Sequence, residues 1–249
     1  MTQRTWVILG ATSIIAEKFA HLAAEKGHYL CLVGRHQEQL DLLAHDIPLR
    51  YPISCDVLCA DLSSEPQKIY EFLTQSTLEL DLFIAHSDFT DNSHLNTETI
   101  IHLIKTNIQA TILLIDVYLK RQQTQHHLIY LSSVAACRGR ASNSLYGASK
   151  ACIEVYLQGL QQAATTKQHI IIGRLGFVDT KQTYGLAGIF YAGSPKSCAK
   201  ACWHALKKKK RLFYFPFFWR AIIALIICLP FALYKKIDGA ANLLSRNFH

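Results

Sequence analysis

The sequence predicts an α/β fold in which a doubly wound parallel sheet lies between two layers of helices. Two observations indicate this class. Short apolar runs, which are typical of strands, alternate along the chain with segments of helical periodicity. The runs are apolar at nearly every position, as expected for strands that are covered on both faces. Ligands of such sheets bind at the carboxyl ends of the strands, so we expect functional residues directly after each run.

The elements follow one another in a regular order. Six strands are predicted, at Trp6–Leu9, Tyr29–Val33, Val57–Ala60, Leu80–Ala85, His127–Ser132 and His169–Leu175. Helices are predicted between them, at Ile14–Lys26, Glu38–Ala44, Pro66–Gln75, Thr97–Arg121 (one helix or two) and Ser144–Ala164. A chain of 249 residues suffices for one large domain with a buried core. We expect that domain over residues 1–211, with a last strand that extends it to 215 as the alternative, and a separate C-terminal segment over residues 212–249.

The net charge of +8 is concentrated near the C-terminus. Residues 196–236 contain ten Lys or Arg and no Asp or Glu, which leaves a net charge of −2 for the rest of the chain. Five consecutive cations at 207–211 precede a stretch, 212–234, that is apolar except for Arg220 and is broken by Pro216 and Pro230. This combination indicates a membrane surface contacted through residues 207–236. Binding of nucleic acid is a weaker hypothesis, because apolar residues are interspersed with the cations.

The uninterrupted apolar run Ala221–Leu229 is well short of the about 20 apolar residues that a membrane span needs, and Arg220 and the two prolines oppose a continuous span. We expect an interfacial or re-entrant anchor with Phe217, Phe218 and Trp219 at the level of the lipid headgroups. A single C-terminal span, a soluble dimer interface and a cover over the active site are the alternatives.

The eight cysteines include no CxxC pair and lack the histidine spacing of a zinc site, so we expect no metal. They are typical of small buried side chains in a reducing compartment. The first strand begins at once and leaves no room for a signal peptide. We therefore expect the protein at the cytoplasmic face of a membrane.

The segment after the first strand is a candidate phosphate-binding turn. Gly10 allows a tight turn, Thr12 and Ser13 offer hydroxyl groups, and the turn aims a helix N-terminus and the amide of Ile15 at a pyrophosphate. An ordinary capped turn remains the alternative, because Ile14 and Ala16 occupy positions where dinucleotide-binding turns commonly have glycine.

Two further candidates follow the second and third strands. Arg35 is placed to meet the 2′-phosphate of NADP, whereas NAD-preferring sites often have a carboxylate there, so we expect NADP(H) in preference to NAD(H). Asp61, followed by Leu62, is placed to accept a hydrogen bond from the adenine amino group. A solvated surface arginine and a helix-capping aspartate are the alternatives.

The start of the long predicted helix at 144–164 carries the candidate catalytic residues. Tyr146 and Lys150 are four residues apart and share a face of the helix. A neighbouring ammonium is expected to lower the pKa of the phenol, which makes Tyr146 a candidate acid or base. Ser133 ends the fifth strand 13 residues earlier.

With Gly10-Ala-Thr-Ser and with Asn107 inside its helix, these residues carry a family resemblance. The chain resembles the short-chain dehydrogenases/reductases over residues 5 to about 215. A narrower resemblance, to the decaprenylphosphoryl-2-keto-ribose reductases, rests on Ile84-Ala-His86, Ser132-Ser-Val-Ala, residues 138–143, Gly176-Phe-Val-Asp-Thr180 and a tail with Trp219-Arg220. Ser87, Leu175 and Lys181 depart from that subgroup.

The resemblance implies a three-layer Rossmann fold and carbonyl reduction by NADPH, or its reverse. Tyr146 would donate the proton, Ser133 would hold the carbonyl oxygen, Lys150 would bind the nicotinamide ribose, and Asn107 would position a relay water. Ala85, Val178 and Thr180, with Tyr146 and Lys150, would contact the cofactor. A homodimer through the helices at 104–121 and 144–164 is expected.

The sequence thus predicts an NADP(H)-dependent reductase for a small or lipid-linked carbonyl substrate at a membrane surface. Arg138 and Arg140, in the loop after the fifth strand, are candidates for binding a substrate phosphate; solvated loop charges are the alternative. The competing hypothesis is a catalytically silent protein that senses a dinucleotide or acts as a scaffold, and Ile14, Ser87 and Leu175 are its best support.

Overall fold

The structure, a computed structural model, describes residues 3–180 and 191–237. Lys181 lies outside the described residues, as do residues 238–249 of the predicted C-terminal segment. Seven strands form one parallel sheet in the order β3-β2-β1-β4-β5-β6-β7. Their bounds are β1 Thr5–Leu9, β2 Tyr29–Gly34, β3 Cys55–Cys59, β4 Leu80–Ile84, β5 His126–Ser133, β6 Gln168–Leu175 and β7 Leu212–Phe215.

Helices cover both faces of the sheet, because strand side chains alternate between the two faces and are apolar on each. Trp6 and Ile8 of β1 belong to the core on one face, and Val7 and Leu9 to the core on the other. The first face is covered by α1 Ile14–Glu25, α2 Gln37–Arg50 and α7 Pro195–Lys207; the second by α3 Pro66–Gln75, α5 Thr111–Leu119 and α6 Ser144–Ala163. This arrangement confirms the predicted α/β class.

The strand order reverses between β1 and β4, so the loops after these two strands diverge and leave a crevice at their carboxyl ends. Helix α4 (Thr97–Ile104) continues into α5 through a π-helical segment, Lys105–Ala110. π-Helical turns occur frequently at functional sites. The predicted helix at 97–121 is therefore a continuous helical stretch with one wide turn, and Asn107 lies in that turn.

The predicted helices differ from the structure mainly in one boundary and in one missing helix. Helix α2 continues six residues past Ala44, with Pro48 in its last turn, because Ile47 is fully buried against the sheet. Helix α7 was not predicted from its apolar pattern, since its buried face consists largely of small residues such as Cys198, Ala199 and Cys202. The cap was the available signal: Ser194 accepts a hydrogen bond from the amide of Ser197, and Pro195 occupies the first turn.

The C-terminal segment begins inside the sheet. Strand β7 pairs with β6, with Arg174 opposite Tyr214, so the sheet extends to Phe215, in agreement with the alternative boundary. Helix α8 (Trp219–Cys228) follows, and residues 231–237 are helical. Helix α8 has 10 residues and a length of about 15 Å, half the thickness of a bilayer core, so it is too short for the single span considered as an alternative.

The predicted headgroup position of Trp219 is wrong for this structure. Trp219 and Ile223 are buried on the inner face of α8 against Val134, at the end of β5. The indole lies over Gly176, where an added Cβ would approach its Nε1 to 1.9 Å. Phe217 is 84% exposed, and its predicted headgroup position stays a prediction. The inner face of α8 thus packs on the carboxyl end of the sheet, which is the arrangement expected from the alternative in which this segment is a cover. The outer face of α8 is exposed to solvent.

Within the described ranges, one helical stretch is apolar and long enough to cross a membrane, Thr97–Leu119, by length and composition only. Its α5 part packs on the sheet through Leu114, Ile115 and Tyr118, which are fully buried. This stretch therefore serves as a core helix of the domain.

Candidate active site

A cavity of about 720 Å³ lies at the carboxyl ends of the strands, at the crevice between β1 and β4. It is lined by every residue that the sequence or the resemblance assigns to a dinucleotide: Gly10, Thr12, Ser13, Ile15, Arg35, Asp61, Leu62, Ala85, Tyr146, Lys150, Val178 and Thr180. Ser133 lines it as well. The fold therefore brings together residues that are up to 170 positions apart in the chain.

The turn after β1 has the geometry of a phosphate cradle. Gly10 has a φ of +74°, and an added Cβ would approach the backbone nitrogen of His86 to 2.7 Å, so only glycine fits there without strain. The hydroxyl of Ser13 accepts a hydrogen bond from the amide of Ala16 and caps α1. The amides of Ile14 and Ile15 in the first turn have no acceptor within the helix, and both residues line the cavity. These features fit a pyrophosphate.

The adenosine end of the cavity contains Arg35 and Asp61. Arg35 is half-exposed, and its Nη1 lies 3.7 Å from Oδ1 of Asp88. Asp61 accepts hydrogen bonds from the amide and the hydroxyl of Ser63, both at 2.7 Å. Burial raises the pKa of Asp61, but the two hydrogen bonds from Ser63, together with the charges of Arg35 and His102, outweigh it, and the pKa is lowered overall. Sequence reasoning missed Asp88, which also accepts a bond from His102 at 2.7 Å.

The catalytic end of the cavity contains Lys150 and Tyr146 on the first turns of α6. Lys150 is buried, and its Nζ donates to the carbonyl of Leu131 at 2.9 Å and lies 6.0 Å from the centre of the Tyr146 ring. Burial lowers the pKa of Lys150 to about 7, although Glu154 opposes the shift. The buried ammonium is therefore close to losing its proton at neutral pH.

The expected lowering of the pKa of Tyr146 is not found. Burial raises the pKa of the phenol, and the neighbouring hydroxyls of Ser133 and Ser87 offset only part of this increase. Phe89 packs edge-on against the Tyr146 ring at 5.2 Å and adds to its desolvation. In this state the phenol is neutral and is set to donate a proton.

Ser133 is placed at the end of β5, where the strand passes into a short 3₁₀ turn. Its Oγ accepts a hydrogen bond from the amide of Ala135 at 3.1 Å. That contact fixes the side chain and leaves the hydroxyl proton free to be donated. The hydroxyl also neighbours the phenol of Tyr146, so one carbonyl oxygen can accept from both groups.

Asn107 does not line the cavity; it is buried behind it. Its Oδ1 accepts from the amide of Asp88 and its Nδ2 donates to the carbonyl of Asp88, both at 2.8 Å. Nδ2 also donates to Oγ of Ser149, which in turn donates to the carbonyl of Tyr146. The side chain of Asn107 thus connects the loop after β4 to the catalytic helix, and its role in holding a relay water stays a prediction.

A charged network behind Lys150 was missed by sequence reasoning. Glu154 is buried one turn further along α6. Its Oε1 accepts from Ser132 at 2.5 Å, and its Oε2 accepts from Nε and Nη2 of Arg174 at 2.8 and 2.6 Å. The signal was present in the sequence, because an acid on the apolar face of a helix requires a partner.

The two loop arginines have different positions. Arg140 lines the cavity. Arg138 lies outside its lining: the guanidinium donates to the carbonyl oxygens of Ile226, Ile227 and Leu229 and stacks on the ring of Tyr234 at 4.1 Å. A cation suits this place because the last carbonyl groups of a helix lack partners. The predicted phosphate contact is therefore not supported for Arg138, whose guanidinium is engaged elsewhere, and for Arg140 it stays a prediction.

No group of three or more His, Cys, Asp or Glu side chains suited to a metal ion occurs in residues 3–180 and 191–237. The lining of the cavity supplies hydroxyl, ammonium, guanidinium, carboxylate and backbone groups, and its volume lies in the range of small-molecule and cofactor sites.

The sheet order, the glycine turn after β1 and the tyrosine one helical turn from a lysine at one cavity define a doubly wound α/β protein with a ligand site at the carboxyl ends of its strands. Residues 4–186 match the family described as short chain dehydrogenase, and the chain belongs to that family.

Relatives and a solved structure agree with this assignment. An uncharacterized oxidoreductase of Staphylococcus epidermidis is 27% identical over 191 residues, which are 74% of this chain and 81% of that protein. The human inactive hydroxysteroid dehydrogenase-like protein 1 is 26% identical over 173 residues, 65% of this chain. The match spans about half (51%) of the human protein. A short-chain dehydrogenase from Sphingobium yanoikuyae in complex with NADPH has a TM-score of 0.77 at 22% identity, covers 97% and 94% of the two chains, and shares the fold.

Proposed function

We propose that the protein is an NADP(H)-dependent reductase that converts the ketone or aldehyde of an amphiphilic, lipid-linked substrate to an alcohol at a membrane surface. The observation that carries the proposal is that one continuous cavity contains both the phosphate cradle and Ser133, Tyr146 and Lys150. The oxidation of the corresponding alcohol would use the same groups in reverse.

The preference for NADP(H) is supported by charge at the end of β2. Arg35 lines the cavity, and the two residues that follow it, His36 and Gln37, bring no carboxylate. The pyrophosphate would lie on the amides of Ile14 and Ile15. The 2′-phosphate would be bound by Arg35 in place of its long contact with Asp88.

The chemistry needs a proton donor and an oxyanion site. When bound, the nicotinamide supplies the hydride. Tyr146 donates its phenolic proton to the carbonyl oxygen, and the raised pKa of this phenol keeps the proton in place until the oxygen becomes basic. Ser133 donates to the same oxygen and stabilises the developing charge. Lys150 has two further N–H donors beyond its bond to Leu131, which suffice for a ribose hydroxyl and a relay to solvent.

The substrate end of the cavity has both aromatic and cationic character. Phe89 and Phe177 line it together with Arg140. Phe177 also packs edge-on against Trp219 on the inner face of α8, at 5.7 Å. A substrate that combines an apolar part with a phosphate fits this lining. This composition supports a lipid-linked sugar or a related phosphorylated lipid as the substrate class.

Contact with a membrane is supported by the outer surface of the C-terminal helices. Phe217, Leu225, Ile227, Phe231 and Leu233 are all exposed there, between 47% and 84%. Arg220, Lys235 and Lys236 are exposed on the same helices. The cations at 207–211 are also exposed, but they precede β7 and therefore lie at the opposite end of that strand from α8. Exposed apolar residues beside cations are typical of proteins that bind anionic lipid surfaces.

Pairing of two copies through α4–α5 and α6 is part of the proposal. Ile101, Ile104, Leu113 and Val155 on these helices are between 40% and 68% exposed, and an interface between the helices of two copies would remove such apolar surface from water. A homodimer would bury them.

The test of the reductase is NADPH oxidation with a panel of ketones and aldehydes, including long-chain and phosphorylated ones. We expect turnover by the wild type and a loss of about 10²- to 10⁴-fold in kcat for Tyr146→Phe, with NADPH binding retained.

Arg35→Ala should weaken NADPH binding about tenfold or more and leave NADH binding unchanged, since a charged hydrogen bond to the 2′-phosphate would be lost. Arg140→Ala should raise KM for phosphorylated substrates, with Arg138→Ala as the control.

A catalytically silent dinucleotide-binding protein is the second candidate. It is favoured by the name of the human relative, which is called inactive, and by Ile14 and Ser87 in the cavity lining. Wild-type protein that binds NADPH and reduces no member of the panel would support this candidate over the reductase.

A further inference from the structure

We propose that the buried Glu154 and its partly buried partner Arg174 are positioning residues, which hold the catalytic lysine and serine in place and set the charge of Lys150. This inference rests on the proposed reductase function. It assigns a role in the reaction to two residues that do not line the cavity.

The pair connects the elements that carry the catalytic groups. Glu154 is one helical turn from Lys150 on α6, and both side chains are buried. Its Oε1 accepts from Ser132, the residue before Ser133, at 2.5 Å. Displacement of the carboxylate would therefore move the end of β5 and the first turns of α6 relative to each other.

Arg174 fixes the carboxylate from the neighbouring strand. Its Nε and Nη2 both donate to Oε2 of Glu154, and its Nη1 donates to the hydroxyl of Tyr214 on β7 at 2.6 Å. Tyr214 packs with Trp219 and Ile223 of α8. Arg174 also directly precedes Leu175 and Gly176 of the cavity wall. The pair thus joins the catalytic helix to the strand and the helix that cover the substrate end.

The electrostatic effect on Lys150 follows from burial. Burial disfavours the charged form of Lys150. The carboxylate of Glu154, one helical turn away, opposes this effect and favours the charged form. The other titratable groups that face Lys150 are the rings of Tyr130 at 4.8 Å and Tyr146 at 6.0 Å, together with His86, whose protonated form Lys150 disfavours. Charge changes at Glu154 and Arg174 should therefore move the titration of Lys150 in opposite directions.

The experiment measures that titration in two ways. The pH dependence of kcat/KM for reduction should fall on the alkaline side as Lys150 loses its proton. Independently of turnover, the ¹³Cε signals of labelled lysines report the titration directly, with the Lys150 signal identified by its absence in Lys150→Met. We expect Glu154→Gln to move the Lys150 midpoint down by about one pH unit and Arg174→Gln to move it up by a similar amount.

Three controls separate positioning from simple destabilisation. Arg174→Lys keeps the cation and should leave the midpoint near that of the wild type. Asp81→Asn breaks a similar buried pair, in which Nε of Arg4 donates to both carboxylate oxygens at 2.9 Å, at the opposite end of the sheet. It should lower the melting temperature without moving the midpoint. If Glu154→Gln does not fold, the double variant E154Q/R174Q, which removes both charges, should fold and restore the wild-type midpoint.

Unchanged midpoints in both single variants, or shifts in the same direction, would overturn the proposal and leave the pair a structural one. A wild type that binds NADPH without turnover would instead refute the reductase function. In that case the ¹³C titration would still decide whether the pair sets the charge of Lys150.

Discussion

The turn after β1 allows a quantitative prediction with a matched control. Gly10 and Gly27 both have a positive φ, +74° and +79°, so replacement of either by alanine places a side chain in the left-handed region at a cost of about 1–2 kcal/mol. The surroundings differ. An added Cβ at Gly27 meets nothing within 4 Å, whereas at Gly10 it would lie 2.7 and 2.8 Å from N and Cα of His86.

The second contribution therefore applies to Gly10 alone. The atoms that the new methyl group meets belong to the backbone and cannot rotate away, so the overlap should cost a further 1–3 kcal/mol or so. We expect Gly10→Ala to lower the free energy of unfolding by about 2–5 kcal/mol and Gly27→Ala by about 1–2 kcal/mol. The reduced freedom of the unfolded chain affects both variants equally and cancels in the comparison.

Urea denaturation measures both values, with equal slopes required for the comparison to hold. NADPH binding gives a second readout: Gly10→Ala should weaken it at least about tenfold, equivalent to about 1.4 kcal/mol, and Gly27→Ala should leave it unchanged. Equal losses of stability in the two variants would show that the approach to His86 does not matter. Unchanged NADPH affinity in Gly10→Ala would refute the assignment of the turn as the phosphate cradle.

Three further predictions concern the core and the tail. Trp219→Ala should lower the free energy of unfolding by about 3–5 kcal/mol, because the indole is buried. The control Phe217→Ala should change this free energy by less than about 0.5 kcal/mol, but it should weaken binding to anionic liposomes. Burial lowers the pKa of His86 to about 3, so between about pH 6.5 and 3 the unfolded chain binds more protons than the folded chain. The free energy of unfolding should therefore decrease as the pH falls through this window. Chemical denaturation of His86→Asn at several pH values should show a weaker dependence of this free energy on pH. Arg138→Ala should accelerate hydrogen exchange in residues 226–234, because it removes the cation from the end of α8, and Arg140→Ala should not.

Residues next to strand ends could be predicted from the sequence because their position follows from topology. Arg35, Asp61 and Ser133 each follow or end a recognisable apolar run, and parallel strands bring their carboxyl ends to one edge of the sheet. The sequence therefore sufficed to predict that these residues lie around one cavity, without knowledge of any contact.

Residues that act through tertiary contacts could not be predicted in this way. Nothing in the sequence around Arg138 and Arg140 distinguishes the two arginines. Arg140 nevertheless lines the cavity, whereas Arg138 contacts the end of α8, a helix whose position depends on residues distant in the sequence. The raised pKa of Tyr146 has a similar origin, because helical spacing predicts the neighbouring lysine but does not predict how strongly Phe89 and the core desolvate the phenol.

If the proposed membrane contact holds, helix α8 has a consequence for the position of the carbonyl group in a lipid substrate. Its inner face touches Val134 and Phe177, which line the cavity, while its outer face carries the exposed Leu225. A helix is about 10–12 Å across with its side chains. With the outer face on a bilayer, the reactive carbon would be held about that far above the acyl chains. The thickness of the helix would then favour substrates whose carbonyl lies on a headgroup that projects from the lipid. It would disfavour substrates whose carbonyl lies in the acyl chain.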